Sequence, residues 1–316
     1  MTRNMDAGTD LNLIFAYYPD IPSGVSATLA EVMANDIPGR AELLAEEIVA
    51  KKPDFVGLQE VTLWGKGACG ATTVLYDQLQ LLLAALEKRD AHYKTVALNE
   101  LTSLEAPANA ITCVSFKDRN ALLVRTEDED EKIEVSNVQT RQFQATLDLS
   151  RIGIVGFPPI VRGYISADAR LDGKTVRVVT THLESTYPFD PTGLTQVAQA
   201  DELIAFLKAA KMPEVLLGDF NSNAEVGPEQ TASVPHILAA GLTDVWRAFN
   251  LPGTGFTWPL YHEDLSSGPA VPNERIDLIF TRGIRPLSVQ ELNLQPPWAS
   301  DHAGVAATLH VAHEDE

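Results

Sequence analysis

The spacing of apolar residues along the chain follows two periods, one typical of helices and one typical of strands. Apolar side chains recur at helical spacing around Ala41–Ile48, from about Thr73 to Lys88 and from about Thr192 to Lys211. Shorter apolar or alternating runs predict strands at Phe55–Gln59, Ala121–Thr126, Lys132–Gln139, Ile160–Leu171, Thr175–His182, Glu214–Leu217, Arg275–Thr281, Leu287–Leu292 and Ala303–Val311.

The order of these elements predicts the fold class. Helices and strands are interleaved, but many strands follow one another directly, which favours antiparallel or mixed sheets over a doubly wound parallel sheet. The Pro- and Gly-rich stretch from Pro259 to Pro272 is flanked by elements of the same core, so it is not a linker between domains. We therefore expect a single α/β domain of the α+β type over residues 1–316.

The charge balance narrows the choice of partners. The chain has 24 Lys and Arg residues against 43 Asp and Glu, which gives a formal net charge of −19. Non-specific nucleic-acid binding depends on a basic surface, so we expect none of any strength here. The run Glu127–Glu131 predicts a solvated hairpin tip. No apolar run approaches the roughly 18 residues of a membrane span, so no transmembrane segment is expected.

The cysteines and the first residues leave the compartment open. Cys69 and Cys113 form either one disulfide or two free thiols, and a zinc site is disfavoured because no Cys-x-x-Cys pair is present. Residues 1–5 have the pattern of a strand end, and no signal peptide precedes them. If this start is trimmed, a secreted or periplasmic protein is favoured, and otherwise a cytoplasmic one. The oligomeric state is not predicted.

Polar residues stand at the ends of several apolar strands, where a buried strand can hold a side chain rigidly in a cleft. Each has an ordinary structural explanation, such as a turn or an ion pair, but together they suggest a site. They are Glu60, His182, Asp219, Asn221, Asp277, Asp301 and His302.

The chemistry of these side chains indicates metal-assisted hydrolysis. Carboxylate and amide oxygens are ligands suited to Mg²⁺, Mn²⁺ or Ca²⁺, and histidines beside carboxylates supply acid/base function near neutral pH. The sequence lacks a P-loop, a G-x-S-x-G elbow, an H-E-x-x-H motif and a strand-linked G-x-G-x-x-G motif. Metal-assisted cleavage of a phosphoester is the interpretation that remains.

The same residues lie in short motifs that resemble those of the endonuclease/exonuclease/phosphatase superfamily. This superfamily includes pancreatic-type deoxyribonucleases, apurinic endonucleases, neutral sphingomyelinases and inositol polyphosphate 5-phosphatases. The resemblance runs from Asn4 to His302 and implies a four-layer sandwich of two facing mixed sheets with helices outside. The motifs, in family order, are Thr2-Arg3-Asn4, Leu58-Gln59-Glu60, Thr181-His182-Leu183, Gly218-Asp219-Phe220-Asn221, Arg275-Ile276-Asp277 and Ser300-Asp301-His302.

The resemblance also implies roles for the matched residues. Glu60 would be the principal metal carboxylate, with Asn4 and Asp301 nearby as ligands or phosphate-positioning groups. Asp219 and Asn221 would orient and activate the attacking water. His302, oriented by Asp277, would stabilise the charge on the phosphoryl oxygens or act as an acid. His182 would contact the phosphate from the other side.

The substrate is not fixed by these motifs. Residues that could face it are Arg119, Asn120, Arg162 and Trp258. The acidic charge favours a small or lipid-derived phosphodiester over long duplex DNA, because the substrate must be drawn in against the wider field. A DNase-like nuclease is the first alternative. A binding or scaffold protein that kept the fold without activity is the alternative from another class.

Overall fold

Two mixed β-sheets pack face to face in the computed structural model, and helices cover their outer faces. The structure describes residues 1–126, 133–171, 173–227, 230–249, 254–261 and 269–311. The acidic run Glu127–Glu131 therefore lies outside the described residues. The α/β class and the two-sheet sandwich expected from the sequence are confirmed.

The first sheet contains eight strands within the described residues. They are β1 (Thr2–Asn4), β2 (Phe55–Gln59), β3 (Leu63–Ala68), β4 (Ala71–Asp77), β5 (Tyr93–Pro107), β6 (Cys113–Arg125), β13 (Arg285–Leu292) and β14 (Gly304–His310). Their order is β13-β14-β1-β2-β6-β3-β4, with β5 paired to β6. The strand β1 runs parallel to β2 and antiparallel to β14.

The second sheet has the order β11-β12-β10-β9-β8-β7 in the same part of the chain. Its strands are β7 (Glu134–Gln142), β8 (Gly163–Leu171), β9 (Lys174–His182), β10 (Glu214–Asp219), β11 (Thr243–Asp244) and β12 (Asp277–Arg282). The helices are α1 (Leu13–Ala16), α2 (Ile21–Ala34), α3 (Ile37–Lys51), α4 (Gln78–Glu87), α5 (Leu194–Lys208), α6 (Ser233–Ala239) and α7 (Val245–Ala248), with a 3₁₀ turn at Leu149–Ile152.

Three apolar layers hold the sandwich together. The helices α3 and α4 pack through side chains such as Ile48 and Leu82 onto the outer face of the first sheet. The helices α5 and α6 cover the outer face of the second sheet, where Leu203 meets Phe280. The layer between the sheets is built from the inward residues of both, including Leu122 and Leu217. Alternation along each strand separates the inner and outer sets.

The helix predicted from Thr73 to Lys88 is wrong in its first third. Residues 71–77 belong to β4, which pairs with β3, and α4 begins only after Asp77. The Asp77 carboxylate accepts from the backbone N–H groups of Leu79 and Gln80, so it caps the helix. The apolar residues from Leu79 to Leu86 do lie on a helix, but Leu75 belongs to the strand that precedes the capping residue.

The two sheets approach each other closely at Gly57. A Cβ added there would lie 2.2 Å from Leu217 and 2.4 Å from the Thr180 hydroxyl of the facing sheet, so the position has no room for a side chain. Beside it, Gln59 donates to Thr180 at 3.0 Å and accepts from Thr2 at 3.1 Å. A polar contact thus joins the sheets next to the end of β2.

Strand register brings the polar strand ends together. Asp219 lies opposite His182 on one neighbouring strand and opposite Asp277 on the other. In the first sheet Asn4 lies opposite Gln59, and Glu60 follows directly. The two groups therefore stand at adjoining edges of the facing sheets.

Two further features concern the chain as a whole. Cys69 and Cys113 are joined by a disulfide, which is one of the two alternatives expected from the sequence. Within the residues that the structure describes, no helix is long and apolar enough to cross a membrane.

Candidate active site

His302 is held by carboxylates and is cationic. Its Nδ1 lies 2.8 Å from Asp277 Oδ2 and 3.9 Å from Asp219 Oδ2, and its Nε2 lies 4.0 Å from Asp301 Oδ1. Burial alone would lower the pKa of His302, but the negative charges of Asp277 and Asp301 outweigh burial and raise it well above the usual value. The ring therefore carries a proton that it can donate toward the cleft.

His182 has the opposite environment. Arg162 lies 3.1 Å from its Nδ1, and a guanidinium only donates. The Asn221 amide lies 3.0 Å from Nε2, and Asp219 Oδ2 lies 3.6 Å away. Burial, Arg162 and the positive His302 together hold the pKa of His182 well below its usual value. This histidine is neutral near pH 7.

Asp219 is the point where the two sheets meet in the site. Its Oδ2 accepts from Asn4 at 3.0 Å, and its Oδ1 accepts from the backbone N–H of Asn221 at 2.8 Å. Burial and the neighbouring Asp277 raise the pKa of Asp219 to about 6. A fraction of this carboxyl group is thus protonated near neutral pH unless a cation approaches it.

Glu60 follows β2 in a left-handed backbone conformation, with φ 52°. Such a conformation costs a non-glycine residue about 1–3 kcal/mol and persists where the surroundings enforce it. Here Asn4 donates to one carboxylate oxygen at 3.1 Å, and the backbone N–H of Ala7 donates to the other at 2.8 Å. Burial, followed by the charge of Asp301, raises the pKa of Glu60 to about 8.

Asp301 completes the charged end of the cleft. Its Oδ2 accepts from the indole N–H of Trp258 at 3.0 Å, and the Trp258 ring lies 6.3 Å from that of His302. Burial raises the pKa of Asp301 above its usual value. The chain thus concentrates buried carboxylates with raised pKa values at one place, and a cation would relieve their mutual repulsion.

The structure separates the predicted substrate-facing residues into two pairs. Arg162 and Trp258 line the cleft. Arg119 is 4 % exposed and binds the Asp77 carboxylate at 2.6 Å and the Val61 carbonyl, while Asn120 is fully buried and donates to the Gly163 carbonyl. Neither of this second pair is among the described residues that line the cleft.

Two carboxylates that the sequence analysis did not single out also line the cleft. Arg162 binds Asp118 at 3.0 Å and Glu184 at 3.5 Å, and both acids are almost fully buried. Asp118 Oδ1 and Glu184 Oε2 have no hydrogen-bond partner among the described residues. Strand alternation was the signal available for Asp118, because it shares a face of β6 with Phe116, whereas Arg119 points to the other face.

The cleft encloses about 370 Å³, within the size range of sites for small molecules. Its charged end contains the side chains described above. The rest of the lining is mainly apolar and aromatic, and it comes from segments near residues 11–15, 104–116 and 147–160 and from the loop after His182. Asp219, Asp277 and His302 are a group that could hold a metal ion, with ligand atoms within 4.8 Å of one another.

An α/β sandwich with buried carboxylates and two histidines at adjoining strand ends defines the general class of the protein. A family model for the endonuclease/exonuclease/phosphatase family matches residues 34–302. The chain belongs to this family, whose members hydrolyse phosphoester bonds and typically use a divalent metal. The resemblance drawn from the sequence motifs is confirmed. No curated protein matches the chain.

Several solved structures share the fold. D. rerio TDP2 complexed with single-strand DNA product is 17% identical, with a TM-score of 0.57 and coverage of 98% of this chain and 97% of that one. An endonuclease/exonuclease/phosphatase from Bacteroides vulgatus is 20% identical, with a TM-score of 0.61 and the same coverages. A mannosyl-6-phosphatase of Bacteroides thetaiotaomicron is 16% identical, with a TM-score of 0.55 and coverage of 86% and 91%. At these identities the likeness shows the fold alone.

Proposed function

We propose that the protein is a divalent-metal-dependent phosphodiesterase that cleaves its substrate by attack of water. The observation that carries the proposal is the cationic His302, hydrogen-bonded to Asp277 and facing a cleft that also contains Asp219 and Glu60. Phosphoester hydrolysis gathers negative charge on the phosphoryl and leaving oxygens, so a fixed imidazolium there stabilises the transition state.

The residues fit a hard divalent cation. Glu60 and Asp301 offer carboxylates whose pKa values are raised by burial and, for Glu60, by the charge of Asp301, and Asn4 lies beside Glu60. Asp277 Oδ1 is buried without a partner among the described residues. When bound, Mg²⁺, or Mn²⁺ or Ca²⁺ in its place, supplies positive charge to a phosphoryl oxygen. We assign the metal ligands to Glu60 and Asp301 and not to the group of Asp219, Asp277 and His302, because His302 Nδ1 is already hydrogen-bonded to Asp277.

The protein side chains divide the remaining work. Asp219 accepts a proton from the attacking water. Asn221 helps to orient that water, because the backbone N–H of Asn221 fixes the Asp219 carboxylate. His302 is protonated and stabilises the negative charge that develops on the phosphoryl oxygens. His182, neutral and held by Arg162, contacts the phosphate from the other side. Arg162 and Trp258 contact the rest of the substrate.

The charge of the chain favours a small or lipid-derived diester. A net charge of −19 opposes the approach of a polyanion, and nucleases depend on several phosphate contacts. The likeness in fold to TDP2 with its single-strand DNA product is the one observation that favours a nuclease instead. A binding protein without activity is disfavoured because each matched motif position carries a side chain competent for the chemistry.

A substrate panel tests the proposal. Bis-p-nitrophenyl phosphate, p-nitrophenyl phosphate, sphingomyelin and plasmid DNA would each be assayed with Mg²⁺ and with EDTA. We expect turnover of the diesters that stops in EDTA and returns with Mg²⁺ or Mn²⁺. Cleavage of plasmid DNA alone, weakening steeply with salt, would support the nuclease. Undiminished turnover in EDTA would remove the metal from the mechanism, and inactivity across the panel would support the binding protein.

A further inference from the structure

The cleft does not end at the charged site but continues into an apolar chamber. We use this name for the part lined by Ile14, Phe15, Leu104, Phe116, Phe157 and Phe189. These residues come from several separate segments of the chain, and most of them belong to or pack against the cluster that contains α2 and Trp64. None of them has a role in the hydrolysis proposed above.

Aromatic contacts fix the walls of the chamber. The Phe15 ring lies 5.0 Å from Phe157 and 4.9 Å from Phe189, in both cases edge to face. The segment that carries Phe157 is closed by backbone hydrogen bonds between Leu147 and Ile160. The walls are therefore held by their own contacts and hydrogen bonds.

The chamber and the charged site are parts of the same cleft, and Ala7 links Glu60 of the charged site to the lining residue Trp64. The backbone N–H of Ala7 donates to Glu60 at 2.8 Å, and the Ala7 carbonyl accepts from the indole of Trp64, which lines the same cleft, at 2.9 Å. Phe189 belongs to the loop that follows His182. A molecule whose phosphate lies between the histidines can thus extend an attached group into the chamber.

The lining determines which group fits. The six residues that define the chamber have apolar side chains, which favour methylene groups that leave water over a nucleobase or a sugar that needs hydrogen-bond partners. Among the polar residues that line the cleft, Thr28 is buried and its hydroxyl has no partner among the described residues. It is placed to bind an acceptor such as an ester carbonyl.

We propose that the apolar chamber binds an alkyl or acyl chain, so that the substrate is a phosphodiester with one aliphatic alcohol. This inference rests on the proposed function and names the substrate class of that site. The whole cleft, charged site included, has a volume of about 370 Å³, so the part that the chamber contributes suits one chain of moderate length.

The first experiment measures kcat/KM with Mg²⁺ for 4-nitrophenyl alkyl phosphate diesters that carry methyl, butyl or octyl groups. Each diester is kept below the concentration at which it forms micelles. The leaving group is the same throughout, so only the chain varies. We expect kcat/KM to rise at least about 100-fold from methyl to octyl, which is about half, in free energy, of the roughly 4-fold per methylene that full burial would give. A benzyl diester provides the aromatic arm and should be slower than octyl.

Two variants narrow or open the chamber. Ala106→Leu adds bulk at a buried lining position, and Phe157→Ala removes a wall. Each should lower the ratio of octyl to methyl kcat/KM at least about 10-fold, and the second keeps the test available if the first does not fold. Ala50→Leu, at an exposed position of α3, is the matched control and should leave the ratio unchanged.

The outcomes separate the two proposals. Turnover of the methyl diester with no gain from chain length, or a benzyl diester faster than octyl, would overturn the aliphatic chamber and leave the phosphodiesterase intact. If no diester is hydrolysed, calorimetry with octylphosphonate and methylphosphonate still decides the chamber. The wild type should bind octylphosphonate at least about 10-fold more tightly than methylphosphonate, and equal affinities for the two would refute the inference.

Discussion

The two histidines of the cleft face each other across the same site, yet their surroundings give them opposite charge states. His302 stands on the carboxylate side, where Asp277 lies 2.8 Å from its Nδ1. His182 stands on the side of Arg162, whose guanidinium donates to its Nδ1 at 3.1 Å. Both are almost fully buried, so burial alone cannot explain the difference. The sign of the group at Nδ1 decides which ring is charged.

This contrast assigns different work to two residues of the same type. In the proposed mechanism a protonated His302 supplies charge and a proton, whereas a neutral His182 contacts the phosphate without adding repulsion between two cations. Breaking each partnership in turn separates these roles.

The largest effect is expected from His302→Asn. Asparagine keeps a hydrogen-bonding group but has no ionisable proton, so turnover should fall by roughly 10²- to 10⁴-fold, the range of a lost acid/base group. The measurement is kcat/KM on a diester with Mg²⁺. His236→Asn, at an exposed histidine of α6 paired with Asp201, is the control and should be as active as the wild type. Near-normal turnover in the His302 variant would remove this residue from the mechanism.

A smaller effect is expected from Asp277→Asn, a change at a positioning residue. Without the negative charge the pKa of His302 falls, so the ring loses its proton at a lower pH and the alkaline limb of the pH profile moves down. Near neutral pH we expect a loss of about 10–100-fold, the range for an outer partner of a site histidine. The profile of kcat/KM against pH measures both. A uniform loss with an unmoved alkaline limb would contradict the pairing.

Arg162→Lys is expected to cost less. Lysine keeps the positive charge, but its single ammonium cannot bind Asp118, Glu184 and His182 as the guanidinium fork does. Loss of the bond to His182 should lower kcat/KM about 5-fold, the equivalent of roughly 1 kcal/mol. ¹⁵N NMR of the His182 ring should show a changed tautomer balance. An unchanged ring spectrum would mean that Arg162 does not fix the tautomer.

The last prediction concerns the stability of the protein in the absence of metal and not its turnover. The folded-state pKa of Glu60 is raised from 4.5 to about 8, so the folded chain holds this proton more tightly than the unfolded chain does. The resulting stabilisation is complete below pH 4.5 and is lost as the pH rises to about 8.

The unfolding temperature in EDTA tests this contribution. As the pH rises from 4.5 to about 8, the unfolding temperature should fall more in the wild type than in Glu60→Gln. The difference should be roughly 2–4 °C for each kcal/mol of stabilisation that the wild type loses. Saturating Mg²⁺ should remove the difference, and parallel curves in EDTA would refute the assignment.

Polar strand ends were the part of the site that the sequence could predict. Glu60, His182 and Asp219 each end an apolar run, and parallel or antiparallel pairing of buried strands brings such ends to one edge. Asn4 is fully buried and reaches both Glu60 and Asp219, which the sequence could not establish. That contact depends on β1 lying inside the first sheet, a result of long-range pairing.

The apolar chamber could not be predicted for the same physical reason. Phe15 contacts Phe157 and Phe189 only after the sandwich is assembled, and no local period links the three residues. The helix α2 was also missed, because Pro22, Ser23 and Gly24 interrupt its first turn with residues typical of loops. The capping Asp20 and a proline in the first turn were the signals present.

The two halves of the candidate site belong to different sheets, and Gly57 determines how close those sheets come. Glu60 lies three residues beyond Gly57 on one side of the gap, and Asp219 lies two residues beyond Leu217 on the other. The distance between the two halves of the candidate site is thus determined by the separation of the two sheets. A single methyl group at position 57 would act as a wedge, widening the cleft without touching any residue that lines it.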